Sequence, residues 1–344
     1  MQRYLIRGVT HDDEAQLLQL ARHLNTVNLP DDPATVREII DMSVRSFSGA
    51  LKDPRRREYV FVLEDRVEGR IVGSSKILAQ LGRRDAPYIF FDVIVEEKYS
   101  PTLDRHFVHT VLRLGHSYEG PTEIGGLIVT PDARRAPERL GMMISYVRFM
   151  FMAMHRGLFR NEVVAELLPP LLPDGTSHLW EALGRKFTEM TYTEADRLSK
   201  RNKEFIKSLF PSSDIYVSLL PPEAQAVVGK VGRETRGVET LLRRIGFYYC
   251  NRIDPFDGGP HFRAATDEIL LVRRSQKLRA VAAEPPAGSP RALVGCDARE
   301  SPFFRAVSCP VQIDPAAGTA TVPAAAFEAL LISPGAEVWA LPLD

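Results

Sequence analysis

Three arginines and a glycine carry the first chemical signal in the chain. Arg134, Arg135 and Arg139 crowd a loop that ends at Gly141. Ahead of the loop lies an apolar run at 124–129, and Thr130-Pro131-Asp132 stops it. Behind the loop, Ile144, Val147, Met150, Phe151 and Met154 recur at helical spacing. Cations gathered just before a helix start make an anion site, because the first helix amides are unpaired and the dipole favours negative charge there. A ligand carrying phosphates suits that chemistry; an ordinary strand–loop–helix unit with solvated arginines suits the same spacing. A second signal is Glu166, an acid inside the apolar run E-V-V-A-E-L-L at 162–168. Burial there raises a carboxyl pKa and makes a proton acceptor, and pairing with an arginine is the alternative. Three histidines, His106, His109 and His116, form a third group, the first two at i, i+3 on a segment open to a helical reading. A metal site needs a third ligand and an organised second shell; the spacing supplies neither, so no metal is expected.

The elements that must hold these residues follow from patterning. Residues 4–9 suit a first strand, and Thr10 followed by acids suits a helix start, with helical spacing at 15–24. A polar loop at 25–32 leads to Pro33, a good first helical residue, and a second helix through Phe47. Segments 57–65 and 70–81 suit an antiparallel pair, and 88–95 another strand. In the strand before the arginine loop, Gly125-Gly126 lets a backbone or ligand come close. After 162–168 the pattern gives a short helix at 177–184 ended by glycine and a strand at 185–192. Helical segments at 193–210, 222–231 and 234–246 and strand-like runs at 214–220 and 268–272 follow, and 241–254 reads as an apolar helix tail, a glycine and an aromatic strand. Residues 282–291, A-A-E-P-P-A-G-S-P-R, have linker composition. The tail reads as β-rich with one helix at 324–331. The expected division is a core at 1–200, a helix–strand extension at 201–281 and a small β-rich appendage at 292–344.

Bulk properties narrow the function classes. The 344 residues carry 44% hydrophobic and 26% charged residues, which fits a globular chain with sizeable cores. Basic and acidic residues balance at 44 each, so a nucleic-acid partner, which needs a basic surplus, is not expected. No run reaches membrane-spanning length, and no membrane partner is expected. Cys250, Cys296 and Cys309 are odd in number and lack a C-x-x-C pair, so a reducing cytoplasm is the expected compartment.

The strand ending in V-x-P, the arginine loop and the long helix resemble the acyl-CoA-binding core of the GNAT superfamily of N-acyltransferases. Longer strings resemble one family within it, the arginine N-succinyltransferases: Y-V-F-V-L-E-D at 59–65, V-R-F-M-F-M-A-M at 147–154, V-V-A-E at 163–166, W-E-A-L-G-R-K-F at 180–187, A-Q-A-V-V-G-K-V at 224–231 and I-D-P-F-D-G-G-P at 253–260. The resemblance implies an α/β (α+β), GNAT-like fold, with a mixed, mostly antiparallel twisted sheet flanked by helices, an added helix–strand unit and a β-rich appendage. It implies succinyl transfer from succinyl-CoA, a co-substrate rather than a resident cofactor, to the α-amine of arginine. It also places the loop between the first two helices beside the acceptor, and pantetheine beside Leu127 and Val129. The diphosphate then falls to Arg134, Arg135 and Gly141.

The family's presumed catalytic histidine closes the string that here reads V-V-G-K-V and then Gly232, and glycine cannot carry a proton. Deprotonating an arginine α-amine needs a base within hydrogen-bond reach. The candidates are His261, just after F-D-G-G-P, and Glu166, with His178 behind them. A surface histidine is the plainer reading of His261. Asp254 and Asp257 suit a guanidinium, which carboxylates hold in bidentate pairs; turn-stabilising aspartates are the alternative. Glu123 is a third acid, and Arg134 or Arg135 also suits the succinyl carboxylate. The rival functions are an acyltransferase with altered acceptor or donor (ornithine, acetyl-CoA) and a non-catalytic sensor or partner subunit. A homo-oligomer and a pairing with a homologous subunit both stay open.

Overall fold

The computed structural model describes residues 2–24, 31–199 and 202–343. Chain order opens with β1 (Tyr4–Gly8), α1 (Glu14–Leu24), α2 (Pro33–Phe47), β2 (Glu58–Asp65) and β3 (Arg70–Leu78). A long hairpin follows, β4 (Tyr88–Ser100) and β5 (Arg105–Ser117), then β6 (Thr122–Val129), α3 (Leu140–Met154) and β7 (Glu162–Glu166). Next come α4 (Arg185–Thr188), α5 (Tyr192–Ser199), α6 (Glu204–Leu209), β8 (Ile215–Tyr216), α7 (Pro222–Val227) and α8 (Arg236–Arg244). The chain then forms β9 (Tyr248–Ile253), β10 (Pro260–Ala265), α9 (Leu270–Arg274), β11 (Gln276–Ala282), β12 (Arg291–Asp297) and β13 (Phe304–Pro310). It ends with β14 (Gln312–Asp314), β15 (Thr319–Val322), α10 (Ala324–Leu330) and β16 (Glu337–Pro342). Residues 25–30 of the loop expected beside the acceptor lie outside the described residues.

These elements divide into two units. The first holds residues 1–80, 122–161 and 266–344, with strand order β14-β15-β11-β16-β12-β13-β1-β2-β3-β6. The second holds 81–121 and 162–265, with order β7-β10-β9-β4-β5-β8. Every pairing within the units is antiparallel except β11 with β15. The class is the expected mixed, mostly antiparallel sheet with flanking helices.

The sequence explains the first unit's core. Asp32 caps α2 by accepting from Thr35 N at 2.8 Å, and Pro33 supplies the first helical residue. The apolar stripes of α1 and α2, with Leu17, Leu20, Val36 and Ile40, cover Val60, Val62 and Ile71 of the sheet. Helix α3 is apolar nearly all round and is buried accordingly. Its Phe151 meets Phe47, Phe61 and Phe304 edge-on at 5.3–5.4 Å between ring centres. The tail at 292–344 is part of this unit, because β13 pairs with β1 and Leu5 packs with Val294 and Val307. The linker at 282–291 therefore joins two strands of one unit.

Three local expectations give way. His106 and His109 lie on β5, where positions three apart face opposite sides, so the helical spacing does not apply. Residues 180–188 form one continuous helical segment, a π-turn at Trp180–Gly184 running into α4, in place of helix, glycine and strand. Gly184 answers to packing: an added Cβ there meets the Trp180 ring at 2.3 Å. Residues 268–272 enter α9 rather than a strand.

Candidate active site

The residues expected on the donor side, Leu127, Val129, Arg134, Arg135 and Gly141, all fall in the first unit. In the β3–β6 ladder Ser74 faces Ile128 and Lys76 faces Gly125, so Gly126 and Leu127 together oppose Ser75. This is a β-bulge, which turns backbone groups out of the ladder. Gly126 takes φ +57, where a side chain strains, and Lys76 Cγ already lies 3.0 Å from its missing Cβ. Leu127 is half-buried at the bulge, and Val129 is buried two residues on. The Val129 carbonyl accepts from Arg134 Nε at 2.9 Å, while Arg135 is exposed. Arg139 in the left-handed region turns the chain into α3, which starts at Leu140. Gly141 thus sits in the first helical turn instead of the loop. Its missing Cβ meets only Val129 Cγ2, at 3.9 Å, so the protein's own packing does not demand a glycine there.

The candidate bases His261, Glu166 and His178 all fall in the second unit. β10 pairs with β7 so that His261 stands directly opposite Glu166, and the turn after β9 brings Asp254 beside them. One ligating atom from each of Glu166, Asp254 and His261 lies within 4.8 Å of the others. His261 is fully buried rather than a surface residue. Burial pulls its imidazole down to about 4, against the pull of Asp254, so the ring is neutral at neutral pH. Burial also pushes the Tyr88 phenol up, so it keeps its proton.

The hydrogen bonds fix the tautomer. Tyr88 Oη lies 3.0 Å from His261 Nδ1. Facing Nε2 is the Glu166 carboxylate, which only accepts, so the ring proton belongs on Nε2 and the phenol donates to Nδ1. The remaining ring proton then lies on Nε2, 3.5 Å from Glu166 Oε1, in a geometry short of a hydrogen bond. Glu166 has 28% of its side chain exposed, and it is the member of this row that meets solvent. Arg252 is held by Asp92 at 2.9 Å and by the face of Phe90 at 3.7 Å.

The two aspartates differ. Asp254 Oδ1 accepts from Phe256 N at 2.7 Å and from Asp257 N at 3.3 Å. Asp257 is buried and accepts from Gly259 N at 2.7 Å. Its burial, with Asp254 beside it, pushes its carboxyl well above the carboxylate range. An enclosed acid whose charged form is disfavoured by burial serves the turn and is a poor clamp for a guanidinium. His178 stands outside this cluster, and Glu123 belongs to β6 in the first unit.

A family model described as arginine N-succinyltransferase beta subunit matches residues 4–271. The arginine N-succinyltransferase of Citrobacter koseri is 34% identical over 97% of this chain and 96% of its own. That of an Escherichia coli strain is 33% identical over the same shares. The chain belongs to the arginine N-succinyltransferase family. Among solved structures, arginine/ornithine succinyltransferase subunit AI from Pseudomonas aeruginosa matches with TM-score 0.84 and 30% identity over 99% of both chains.

Gly232, at the position of the family's presumed catalytic histidine, is built into the backbone here. Its N–H donates to the Leu168 carbonyl at 2.8 Å. An added Cβ lies 2.6 Å from the Pro169 carbonyl oxygen and 2.9 Å from that of Leu168. No larger residue fits without moving 168–169.

Sequence reasoning missed Tyr88 and Arg252. Tyr88 opens a strand that reads only as apolar, and its contact with His261 spans 173 positions. No local signal reports such a meeting.

Proposed function

We propose that this chain moves a succinyl group from succinyl-CoA to the α-amine of L-arginine. The observation that carries the proposal is family membership along the whole length, 34% identity over 339 residues. In this mechanism pantetheine runs beside Leu127 and Val129, and the diphosphate meets Gly141, Arg134 and Arg135 at the start of α3. Support comes from the bulge at Gly126 and Leu127, whose turned-out backbone suits a thioester oxygen that needs donors as charge develops. The amine arrives protonated and gives its proton to Glu166, directly or through one water. His261 acts through Glu166 as a positioning residue, its Nε2–H turned toward the carboxylate and its Nδ1 held by Tyr88. The free amine attacks the thioester carbon, the C–N bond forms, the C–S bond breaks, and CoA leaves as the thiol. Asp254 takes the acceptor's cationic end. No resident cofactor or metal is needed for these steps.

Ornithine is a second acceptor, favoured by the name of the Pseudomonas aeruginosa chain, which carries both amino acids. That chain is also named a subunit, and we propose an oligomer here, either of identical chains or with a homologous subunit; light scattering of the purified protein reads the mass. A cytoplasmic setting is supported by free thiols at Cys250, Cys296 and Cys309. Among the described residues no helix is long and apolar enough to cross a membrane. The test is mass spectrometry of arginine, ornithine and lysine incubated with succinyl-CoA or acetyl-CoA. Succinylated arginine with release of free thiol is expected. CoA binding without acylation of any amino acid overturns the proposal.

A further inference from the structure

Arg148 is a buried cation that the mechanism above leaves unused. It lies on the inner side of α3 and is 3% exposed. Three of its five N–H groups have acceptors, all neutral. Nε donates to the Ser145 carbonyl at 3.0 Å, Nη2 to Ser145 Oγ at 2.8 Å and Nη1 to the Gly125 carbonyl at 3.3 Å. Each terminal nitrogen therefore keeps one N–H without an acceptor among the described residues. No carboxylate pairs with it there, and burial alone pulls its guanidinium down to about 9.

An unpaired buried charge is costly, and such a group in a native fold calls for a partner. Compare Arg7, also enclosed in the first unit, which has Asp13 at 2.7 Å and Glu64 at 2.7 Å. The position of Arg148 names its partner. Gly125, whose carbonyl it reaches, is the residue just before the bulge pair Gly126 and Leu127. In the proposed mechanism the thioester lies at that bulge, and the acyl chain extends from it. A succinyl group carries a carboxylate at its far end, and a guanidinium with one spare N–H on each terminal nitrogen suits a carboxylate in a two-point grip. The arginine loop is the weaker home for that charge: Arg134 already donates to the Val129 carbonyl, and both Arg134 and Arg135 are exposed where phosphates are expected.

We propose that Arg148 binds the terminal carboxylate of the donor's acyl group and so selects dicarboxylic acyl-CoA thioesters over neutral ones. This rests on the succinyl-CoA reading and deepens it. The ion pair forms only when the donor is bound, which leaves the free chain with an uncompensated charge under β6.

The test compares succinyl-CoA with butyryl-CoA, a neutral donor of the same acyl length. kcat/KM with arginine and calorimetric affinity are measured for the wild type, Arg148→Met and Arg148→Lys. The wild type favours succinyl-CoA. Arg148→Met lowers its use and binding on the order of 100- to 1,000-fold, the loss expected when one partner of a buried pair is removed, and leaves butyryl-CoA unchanged. Arg148→Lys falls between them, keeping the charge but not the two-point grip. Equal losses for both donors mean that Arg148 only ties α3 to β6, and the inference fails. A wild type that binds or uses butyryl-CoA as well as succinyl-CoA overturns it without any variant. A wild type that binds succinyl-CoA selectively but transfers nothing refutes the proposed reaction and leaves the carboxylate site standing.

Discussion

Acidification tests the buried state of His261 directly. The ordinary histidine value is 6.5, and burial brings this one to about 4. At about 1.4 kcal/mol for each pH unit, that interval is worth on the order of 3 kcal/mol. The sign follows from which state takes the proton first. Above pH 6.5 neither the folded nor the unfolded chain protonates this ring, and the full stability is present. Between 6.5 and about 4 the unfolded chain binds a proton that the folded chain refuses, so stability falls as pH falls. Below about 4 the contribution is gone. The assay is urea unfolding of the wild type and His261→Gln at several pH values from 7 to 4. Asp257 titrates in the opposite sense, because its folded carboxyl is raised, but it is present in both chains and largely cancels in the difference. The wild type is expected to lose on the order of 3 kcal/mol more than the variant over this range. Parallel curves refute a buried neutral imidazole, and with it the Tyr88–His261–Glu166 row.

The remaining predictions concern single steps. Glu166→Gln is expected to lower kcat by about 10²- to 10⁴-fold, the usual worth of a positioned base, with KM for succinyl-CoA unchanged; an intact kcat removes Glu166 from proton transfer. Gly232→Ala is expected to cost about 1–3 kcal/mol in urea unfolding through overpacking, because its Cβ meets two carbonyl oxygens within 2.9 Å; an equally stable variant shows that 168–169 yield. Gly232→His is expected to lower stability further without raising turnover, and a more active Gly232→His chain contradicts the row at His261. Arg134→Ala with Arg135→Ala is expected to weaken CoA binding about tenfold at low salt, or about 1.4 kcal/mol, and less at high salt where exposed charges are screened. Unchanged affinity, measured by calorimetry, moves the diphosphate elsewhere.

The parts of the fold legible in the sequence were those with strong local signals. Pro33 marked a helix start and supplies the first helical residue, while its cap, Asp32, read only as loop. The unbroken apolar character of α3 and the continuous apolar run of β2 report burial on every side of the one and on both faces of the other. Segments 185–192 and 268–272 misled because short apolar stretches do not distinguish strand from helix. There, packing decided: Gly184 makes room for the Trp180 ring, and the helix runs on through it. The division into units was hidden for a different reason. Each unit is assembled from separated segments, and the tail joins the first strand through β13. Composition marks linkers between neighbours in sequence and says nothing about partners three hundred positions away.

The candidate site shows the same boundary more sharply. His261 and Glu166 were recognisable as titratable groups in apolar or turn settings, but their relation was not. Their pairing depends on the β7–β10 register, and a slip of one residue sends the side chain of the slipping strand to the other face, away from its partner. The direction of the proton row depends on more still. The Glu166 carboxylate only accepts, which keeps the ring proton on Nε2 and sends the phenol proton of Tyr88 to Nδ1. Reverse any one of those bonds and the imidazole presents a lone pair to Glu166 instead of a proton. The residue types thus announce acid–base chemistry, while the β7–β10 register and the Tyr88 contact decide which group faces solvent. In this chain the solvent-facing group is Glu166, and in the proposed reaction the histidine works from behind it.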